Sequence, residues 1–596
     1  MSYTKLLPIP VAAAIFALSA CGNSGSSTTA STTAPTTPTA SVQDAVATAT
    51  PIKHLVVIFS ENESFDHYFG TYPTAVNAEG EPAFTALPNT PSVNNLLNNG
   101  LITTNPNALP TSPNAMGKTV NGVTYAGTGL TAANLVPFRL DRSQAATVSM
   151  NHSYTPEQLA YDNGAMDAFP LFTGAAGSGS TGEFGTKGLV LGYYDGNTVT
   201  ALWNYAQHFA MNQNAYTDTY GPSTPGALEV VSGQNNGATI SNGTTTSAIN
   251  DGAGSMTLVG DADPTGDVCS SGATATMKGQ NIGDLLNAKG LTWGGFMGGF
   301  NLGLTNANGT TNCQRSTYSS VLMTTKADYV QHHNWFQYYT TTANPQHTRP
   351  SGTQYIGMTD PLDNTATPVH HEYDINDFYA AVSAGKFPSV SFLKAPAIED
   401  GHPGNSDPLD EQTFFTNVIN FLQQQPDWKN TAVIIAYDDS DGWYDHAYKA
   451  PTSSSFDSTS QQTINGQTLT GYDQLNGPGQ CTATGAVQPQ GVSGGLINGR
   501  CGPGTRTPFI VVSPYAKANF VDSTPITQAS VVKFIEDNWL GGQRIGGGSF
   551  DANAGSIMNL FDFSATGGNN PPLYLDPNQG TVLSAPPAGS TSPSSM

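Results

Sequence analysis

Two places in this 596-residue chain set acidic and amide side chains directly behind an apolar run. Ile52-Lys53-His54-Leu55-Val56-Val57-Ile58-Phe59-Ser60 leads straight into Glu61-Asn62, and Thr431-Ala432-Val433-Ile434-Ile435-Ala436-Tyr437 leads into Asp438-Asp439. Short runs rich in β-branched residues predict buried central strands of a parallel sheet, and open α/β sheets place their ligands just outside the carboxyl ends of the strands. Two such ends side by side would gather three carboxylates and an amide, which is tolerable only if a cation neutralises them. The pattern points to a hard metal ion and to chemistry on an anionic substrate.

The residues around these ends narrow the reading. Glu61-Asn62-Glu63-Ser64-Phe65-Asp66-His67-Tyr68-Phe69-Gly70-Thr71-Tyr72-Pro73 resembles the opening motif of the phosphoesterase family that contains bacterial phospholipases C and acid phosphatases. Further segments match in the family's order: Asn151-His152-Ser153, Gly192-Tyr193-Tyr194-Asp195, Gly221-Pro222-Ser223-Thr224-Pro225, His332-His333-Asn334 and Glu399-Asp400-Gly401-His402-Pro403. Asp438-Asp439-Ser440-Asp441-Gly442-Trp443-Tyr444-Asp445-His446 and Arg506-Thr507-Pro508-Phe509-Ile510-Val511-Val512-Ser513-Pro514 complete the set, and the resemblance runs from residue 51 to 545.

The resemblance implies an alkaline-phosphatase-like α/β sandwich: a mostly parallel central sheet, helices on both faces, and long insertions forming a smaller lobe. It implies Ser223 as nucleophile, as in the acid phosphatase branch. Members with phospholipase activity resemble Thr-x-Pro-Asn-Arg here, whereas this chain has Ser223-Thr224-Pro225-Gly226-Ala227 and lacks the Asn-Arg pair. On residue types alone the segment reads as a turn, and Thr224 is a neighbouring rival. Glu61, Asn62, Asp438, Asp439 and the Ser223 oxygen would surround one divalent cation, and an all-oxygen set favours Ca²⁺, Mg²⁺ or Mn²⁺ over zinc.

His152, His332, His333 and His402 match the family's active-site histidines. With ordinary pKa values of about 6.5 they would be largely protonated in an acidic medium, binding phosphate oxygens and protonating the leaving group. Asp195 would orient a histidine or hold a loop. Asp445-His446 would support Asp438-Asp439, and Arg506 would either fork onto phosphate or anchor a loop. The expected function is metal-dependent hydrolysis of phosphate esters through a phosphoserine. A phospholipase C acting on phosphodiesters and a non-catalytic surface binding protein are the alternatives.

The elements that must position these residues follow from periodicity. Strands are expected at 52–59, 291–297, 389–394, 431–437 and 508–513. Phe414, Phe415, Val418, Ile419, Phe421 and Leu422 recur at helical spacing within 411–424, and Pro426 stops that helix, so strand, helix and strand form a parallel crossover. Helices are also expected at 199–210 and 528–540. Residues 70–150, 235–280 and 450–500 are rich in Asn, Gly, Ser and Thr and read as long loops or small lobes.

Composition addresses location and partners. Only 11% of residues are charged and the net charge is -23, so nucleic acid is excluded as a partner and solubility rests on neutral polar side chains. A small phosphate ester, or a phospholipid head group, is the expected partner. Lys5 and the apolar stretch to Ala17 precede Leu18-Ser19-Ala20-Cys21, which resembles a bacterial lipobox, so residues 1–21 read as a lipoprotein signal peptide with Cys21 lipidated. An ordinary signal peptide is the alternative. Residues 22–50 form a Ser/Thr/Pro-rich tether, 51–545 the catalytic domain and 546–596 a Gly/Pro/Ser-rich tail. The protein is thereby expected in the bacterial envelope or secreted, touching membrane only through the lipid. Cys269, Cys313, Cys481 and Cys501 allow three pairings; Cys269–Cys313 and Cys481–Cys501 are favoured because each closes a Gly-rich loop within one insertion.

Overall fold

A computed structural model describes residues 42–178, 182–363, 370–477 and 479–587. The two apolar runs are strands β1 (His54–Ser60) and β6 (Thr431–Tyr437), and every residue of both is buried. Between them in the chain lie β2 (Ala210–Asn212), β3 (Trp293–Met297), β4 (Glu372–Asp374) and β5 (Val390–Lys394); β7 (Phe509–Val512) and β8 (Phe520–Asp522) follow. The eight strands form one sheet in the order β4-β3-β5-β1-β6-β7-β2-β8. All run parallel except β7, which is antiparallel to both neighbours. This is the expected alkaline-phosphatase-like sandwich, and the near-continuous hydrophobicity of β1 and β6 reflects burial on both faces.

The helices that serve the site are α1 (Phe65–Phe69), α2 (Tyr154–Tyr161), α3 (Thr200–His208), α4 (Ser223–Ser232), α5 (Pro408–Leu422) and α6 (Ala529–Trp539). Helix α5 starts where Asp407 accepts hydrogen bonds from the Leu409 and Asp410 amides, with Pro408 at its first position. It buries Phe414, Phe415, Val418, Ile419, Phe421 and Leu422, as the spacing required. The β5-α5-β6 crossover is parallel, but β1 is inserted between its two strands. The expected helix at 199–210 stops at His208, and Ala210–Asn212 becomes β2 instead. Strands β2, β4 and β8, of three residues each, are too short to leave a readable period.

The insertion at 235–280 is a small lobe: five short strands, Asn236–Ser241, Ala248–Asn250, Met256–Leu258, Asp263–Pro264 and Thr274–Met277, form a separate sheet. In 450–500, Gln461–Ile464 and Gln467–Thr470 form a hairpin. Cys269 pairs with Cys313 and Cys481 with Cys501, as favoured, at Cα separations of 5.3 and 5.7 Å. The described part of 546–596 is packed rather than trailing: Leu560 and Leu575 are fully buried, and the Leu573 and Leu575 amides donate to Gln423 and Asn420 of the α5 end. Among the described residues no helix is long and apolar enough to cross a membrane. Cys21 and the lipobox lie outside the described residues.

Candidate active site

The register of β1 and β6 fixes the centre of the site. Ser60 pairs with Tyr437, so Glu61-Asn62 and Asp438-Asp439 leave the sheet together at adjacent strand ends. Asn62 turns out of the strand in the left-handed region, at φ 57°, a conformation Asn tolerates better than most residues. The Asn62 amide donates to Asp438 Oδ1 at 3.3 Å.

Helix α4 brings its first residue to this centre. The Ser223 hydroxyl donates to Glu61 Oε2 at 3.0 Å and lies 3.2 Å from Asp439 Oδ2 and 3.4 Å from the side-chain amide of Asn62. Thr224 points elsewhere, its hydroxyl donating to the His332 carbonyl at 3.3 Å. The helix can come this close because residue 226 is glycine: a Cβ there would sit 2.3 Å from the Asp438 carbonyl oxygen. Gly226, standing where that pattern has Asn, therefore has a local packing reason.

All four predicted histidines converge. The His152 and His402 ring centroids are 5.8 Å apart, His402 and His333 stack at 6.2 Å, and His333 and His332 meet at 4.6 Å. Three of them are oriented by a specific acceptor or carboxylate, and His332 Nδ1 lies 3.7 Å from Asp263 Oδ1. His152 Nδ1 is 3.0 Å from Asp441 Oδ1, His333 Nδ1 is 3.0 Å from Glu61 Oε1, and His402 Nδ1 faces the Pro403 carbonyl at 2.8 Å. With its amide turned to satisfy its surroundings, Asn62 accepts from His402 Nε2 at 3.2 Å and donates to Asp438 Oδ1 at 3.0 Å.

Burial and charge separate the roles of these groups. Desolvation works against charge on His152, but Asp439 and Asp441 outweigh it and hold the ring well above the ordinary histidine range. His332 is likewise raised against burial by Asp261. His333 goes the other way: burial, then the neighbouring His332 and Lys394 charges, push it well below. The expectation of four imidazoliums is corrected to that extent, since His333 is held neutral. Desolvation, then Glu61, lifts Asp438 to about 7, and desolvation lifts Asp439 well above the usual carboxylate range. Such a set, with Glu61 Oε2 and Asp439 Oδ2 both buried against the Ser223 hydroxyl, fits a cation.

Several functional groups escaped the sequence reading. Lys394, the last residue of β5, pairs with Glu61 and lies 3.6 Å from Asp438 Oδ2. The signal existed: it is a charged residue ending a buried strand, like Glu61 and Asp438. Asp441 orients His152, and Asp261 accepts the Thr224 amide at 3.0 Å. A cleft of about 590 Å³ opens beside Pro222, Asp261 and His152, walled by Thr246 and Ser247 of the small lobe and by Gln462 of the hairpin.

Other expected residues are not brought here. Asp195 is taken by Arg139 at 2.9 Å and by the Val76 and Asn197 amides, so it holds a loop and orients no histidine. Arg506 is fully buried, donating to Asp445 at 3.1 Å, to Asp66 at 3.2 Å and to the Asn94 and Gln213 carbonyls. It is an anchor, not a phosphate fork. Asp445 and His446 belong to this anchor, with His446 Nδ1 2.5 Å from Asp66 Oδ2, instead of supporting Asp438-Asp439 directly.

A sequence model of the Phosphoesterase family matches residues 52–540. The chain is 28% identical over 159 residues to a protein named non-hemolytic phospholipase C from Pseudomonas aeruginosa, covering 26% of this chain and 21% of that protein. It is 27% identical over 226 residues to a protein of the same name from Burkholderia pseudomallei, covering 36% and 29%. Phospholipase C A of Mycobacterium tuberculosis is 28% identical over 159 residues, covering 27% and 26%. The chain thus aligns with less than a third of the length of each of these relatives.

Proposed function

Because this chain belongs to the phosphoesterase family, we propose that it hydrolyses phosphate esters, with Ser223 as the nucleophile. The observation that carries the reading is the Ser223 hydroxyl, buried at the first position of α4 and within 3.4 Å of Glu61, Asn62 and Asp439. Glu61, Asn62, Asp438, Asp439 and Ser223 would hold one hard divalent cation, which when bound neutralises the carboxylates and favours the serine alkoxide.

Ser223 Oγ, its proton already given up to solvent, attacks phosphorus, the bond to the leaving oxygen breaks, and the leaving oxygen takes a proton from His152, whose charged form Asp439 and Asp441 favour. The amino end of α4 and His332 face the negative charge of the phosphoryl group. His333 gives its Nδ1 to Glu61 and keeps Nε2 for a phosphate oxygen. Water then attacks the phosphoserine, with His152 as base, restoring the serine and releasing phosphate.

The acid phosphatase reading is favoured by the serine and by the absent Asn-Arg pair. The cleft wall is polar and uncharged on the side of Thr246, Ser247, Gln462, Thr463 and Tyr472, with Ser247, Gln462 and Tyr472 donating within the protein, and no Lys or Arg lines it. A phospholipase C acting on diesters is the second reading, favoured by the names of the relatives. Rates on p-nitrophenyl phosphate and p-nitrophenylphosphorylcholine separate the two. An acid quench during turnover should leave phosphate on the peptide containing Ser223, and Ser223→Ala should lose that label and several orders of magnitude in rate while keeping its metal. Label on Thr224, or near-normal turnover of Ser223→Ala, would overturn the assignment. We further propose that a lipid on Cys21 holds the protein at a membrane.

A further inference from the structure

We propose that Glu157, which the reaction above does not use, positions the serine against the carboxylates; the inference rests on the reading of Ser223 as the nucleophile. Glu157 lies on α2 and is 1% exposed. Its Oε2 accepts from the Gly221 amide at 3.0 Å, and its Oε1 is 3.1 Å from the Ser440 hydroxyl. Gly221 stands two residues before Ser223, and Ser440 directly follows Asp438-Asp439. One carboxyl group therefore clamps the turn that begins α4 to the turn that leaves β6.

Both turns need such a tie. Pro222, the residue before α4, has no amide hydrogen, and no side chain caps the helix from that position. Gly221 sits at φ 122°, a conformation open chiefly to glycine, which brings no side chain of its own to fix the turn. Side chains from elsewhere hold this stretch instead: Glu157 takes the Gly221 amide and Asp261 takes the Thr224 amide at 3.0 Å, one carboxyl on each side of Ser223. At the other end Ser440 lies in neither helix nor strand, and its Oγ accepts from the Gly442 amide at 3.1 Å. The base of the clamp is itself fixed. The Tyr154 hydroxyl donates to Asp473 at 2.7 Å, and the Gln158 side-chain oxygen accepts from the Gln474 and Leu475 amides at 2.8 and 3.1 Å. Tyr154, Thr155 and Pro156 line the cleft and Glu157 does not, so its part is positioning and not contact with substrate. Burial lifts its carboxyl to about 8, so near neutral pH it presents one acceptor and one donor, the pattern of a glutamine amide.

The test is steady-state kinetics of the full chain on p-nitrophenyl phosphate with saturating metal, read beside the thermal midpoint, for Glu157→Gln, Glu157→Ala, Ser440→Ala and the Glu157→Ala, Ser440→Ala double variant. A displaced nucleophile costs about a hundredfold, so Glu157→Ala should lose about that factor in kcat while KM stays within about threefold. Glu157→Gln keeps both partners and should stay within about threefold of the wild-type kcat. Ser440→Ala cuts one end of the clamp and should lose at least about tenfold, and the double variant should lose no more than Glu157→Ala alone, because the two residues act as one unit. A Glu157→Ala protein that melts lower but keeps its kcat overturns the inference, and so does a Glu157→Gln protein as impaired as Glu157→Ala, or a double variant whose losses add. If Glu157→Ala is not recovered folded, Ser440→Ala decides, and an unchanged kcat there overturns the inference as well. Near-normal turnover of Ser223→Ala refutes the nucleophile reading instead, so the two failures are told apart.

Discussion

Ser223 and Gly226 lie one turn apart on α4 and meet different needs, the first chemical and the second steric. Because a Cβ at 226 would press into the Asp438 carbonyl at 2.3 Å, Gly226→Ala should push the amino end of α4 away from the carboxylates. A misplacement of this kind costs about a hundredfold in rate when the geometry is a near-attack one. We expect the variant to fold, to bind metal more weakly and to lose at least about tenfold in kcat; wild-type kinetics would mean that α4 has slack. At this scale the sequence was legible where a polar residue ends an apolar run, as with Glu61 and Asp438. It was silent on Asp441 and Asp261, whose importance arises only from the approach of segments far apart in the chain. Asp195 is the reverse case, a residue matched by motif whose carboxylate is spent on Arg139.

Between elements, the two strand ends are tied a second time below the reacting centre. Asp66 of α1 follows Glu61-Asn62, Asp445 follows Asp438-Asp439, and Arg506 before β7 binds both. Breaking a buried charged set by removing one partner costs about 3–5 kcal/mol, so Arg506→Met should lower the urea midpoint sharply. An unchanged midpoint would show that the anchor is dispensable. His446 reports on the same cluster through pH. Burial opposes its charge, but Asp66 prevails over it and over the nearby Arg506, with Asp445 assisting, so its pKa is raised. A raised folded-state pKa gives stability that is complete below about pH 6.5 and is lost as pH rises through the folded value. The stability gap between wild type and His446→Gln should therefore be widest on the acid side and close toward alkaline pH; a gap that widens with pH would contradict the pairing. The sheet itself was readable because β1, β5 and β6 are long and apolar. The edges were not, because three residues carry no period and their strand character comes from the neighbours they pair with.

For the molecule as a whole, the Asn/Gly/Ser/Thr-rich stretches could be recognised as insertions but not as walls of a cleft, since pairing between their short strands is set by long-range contacts. The carboxy-terminal stretch read as a tail because its apolar residues are sparse. Leu573 and Leu575 nevertheless dock on α5 through side-chain amides of Gln423 and Asn420. At the other end, Cys21→Ala should move the protein from the membrane fraction to the soluble one. An unchanged distribution would remove the lipid anchor from the proposal.

The wall of the cleft comes from the small lobe and the hairpin, while the serine, the carboxylates and Lys394 stand on the sheet and on α4. On the proposed reading, exchange of Thr246 or Ser247 should change which organic group is admitted while leaving the central sheet and the Ser223 centre in place.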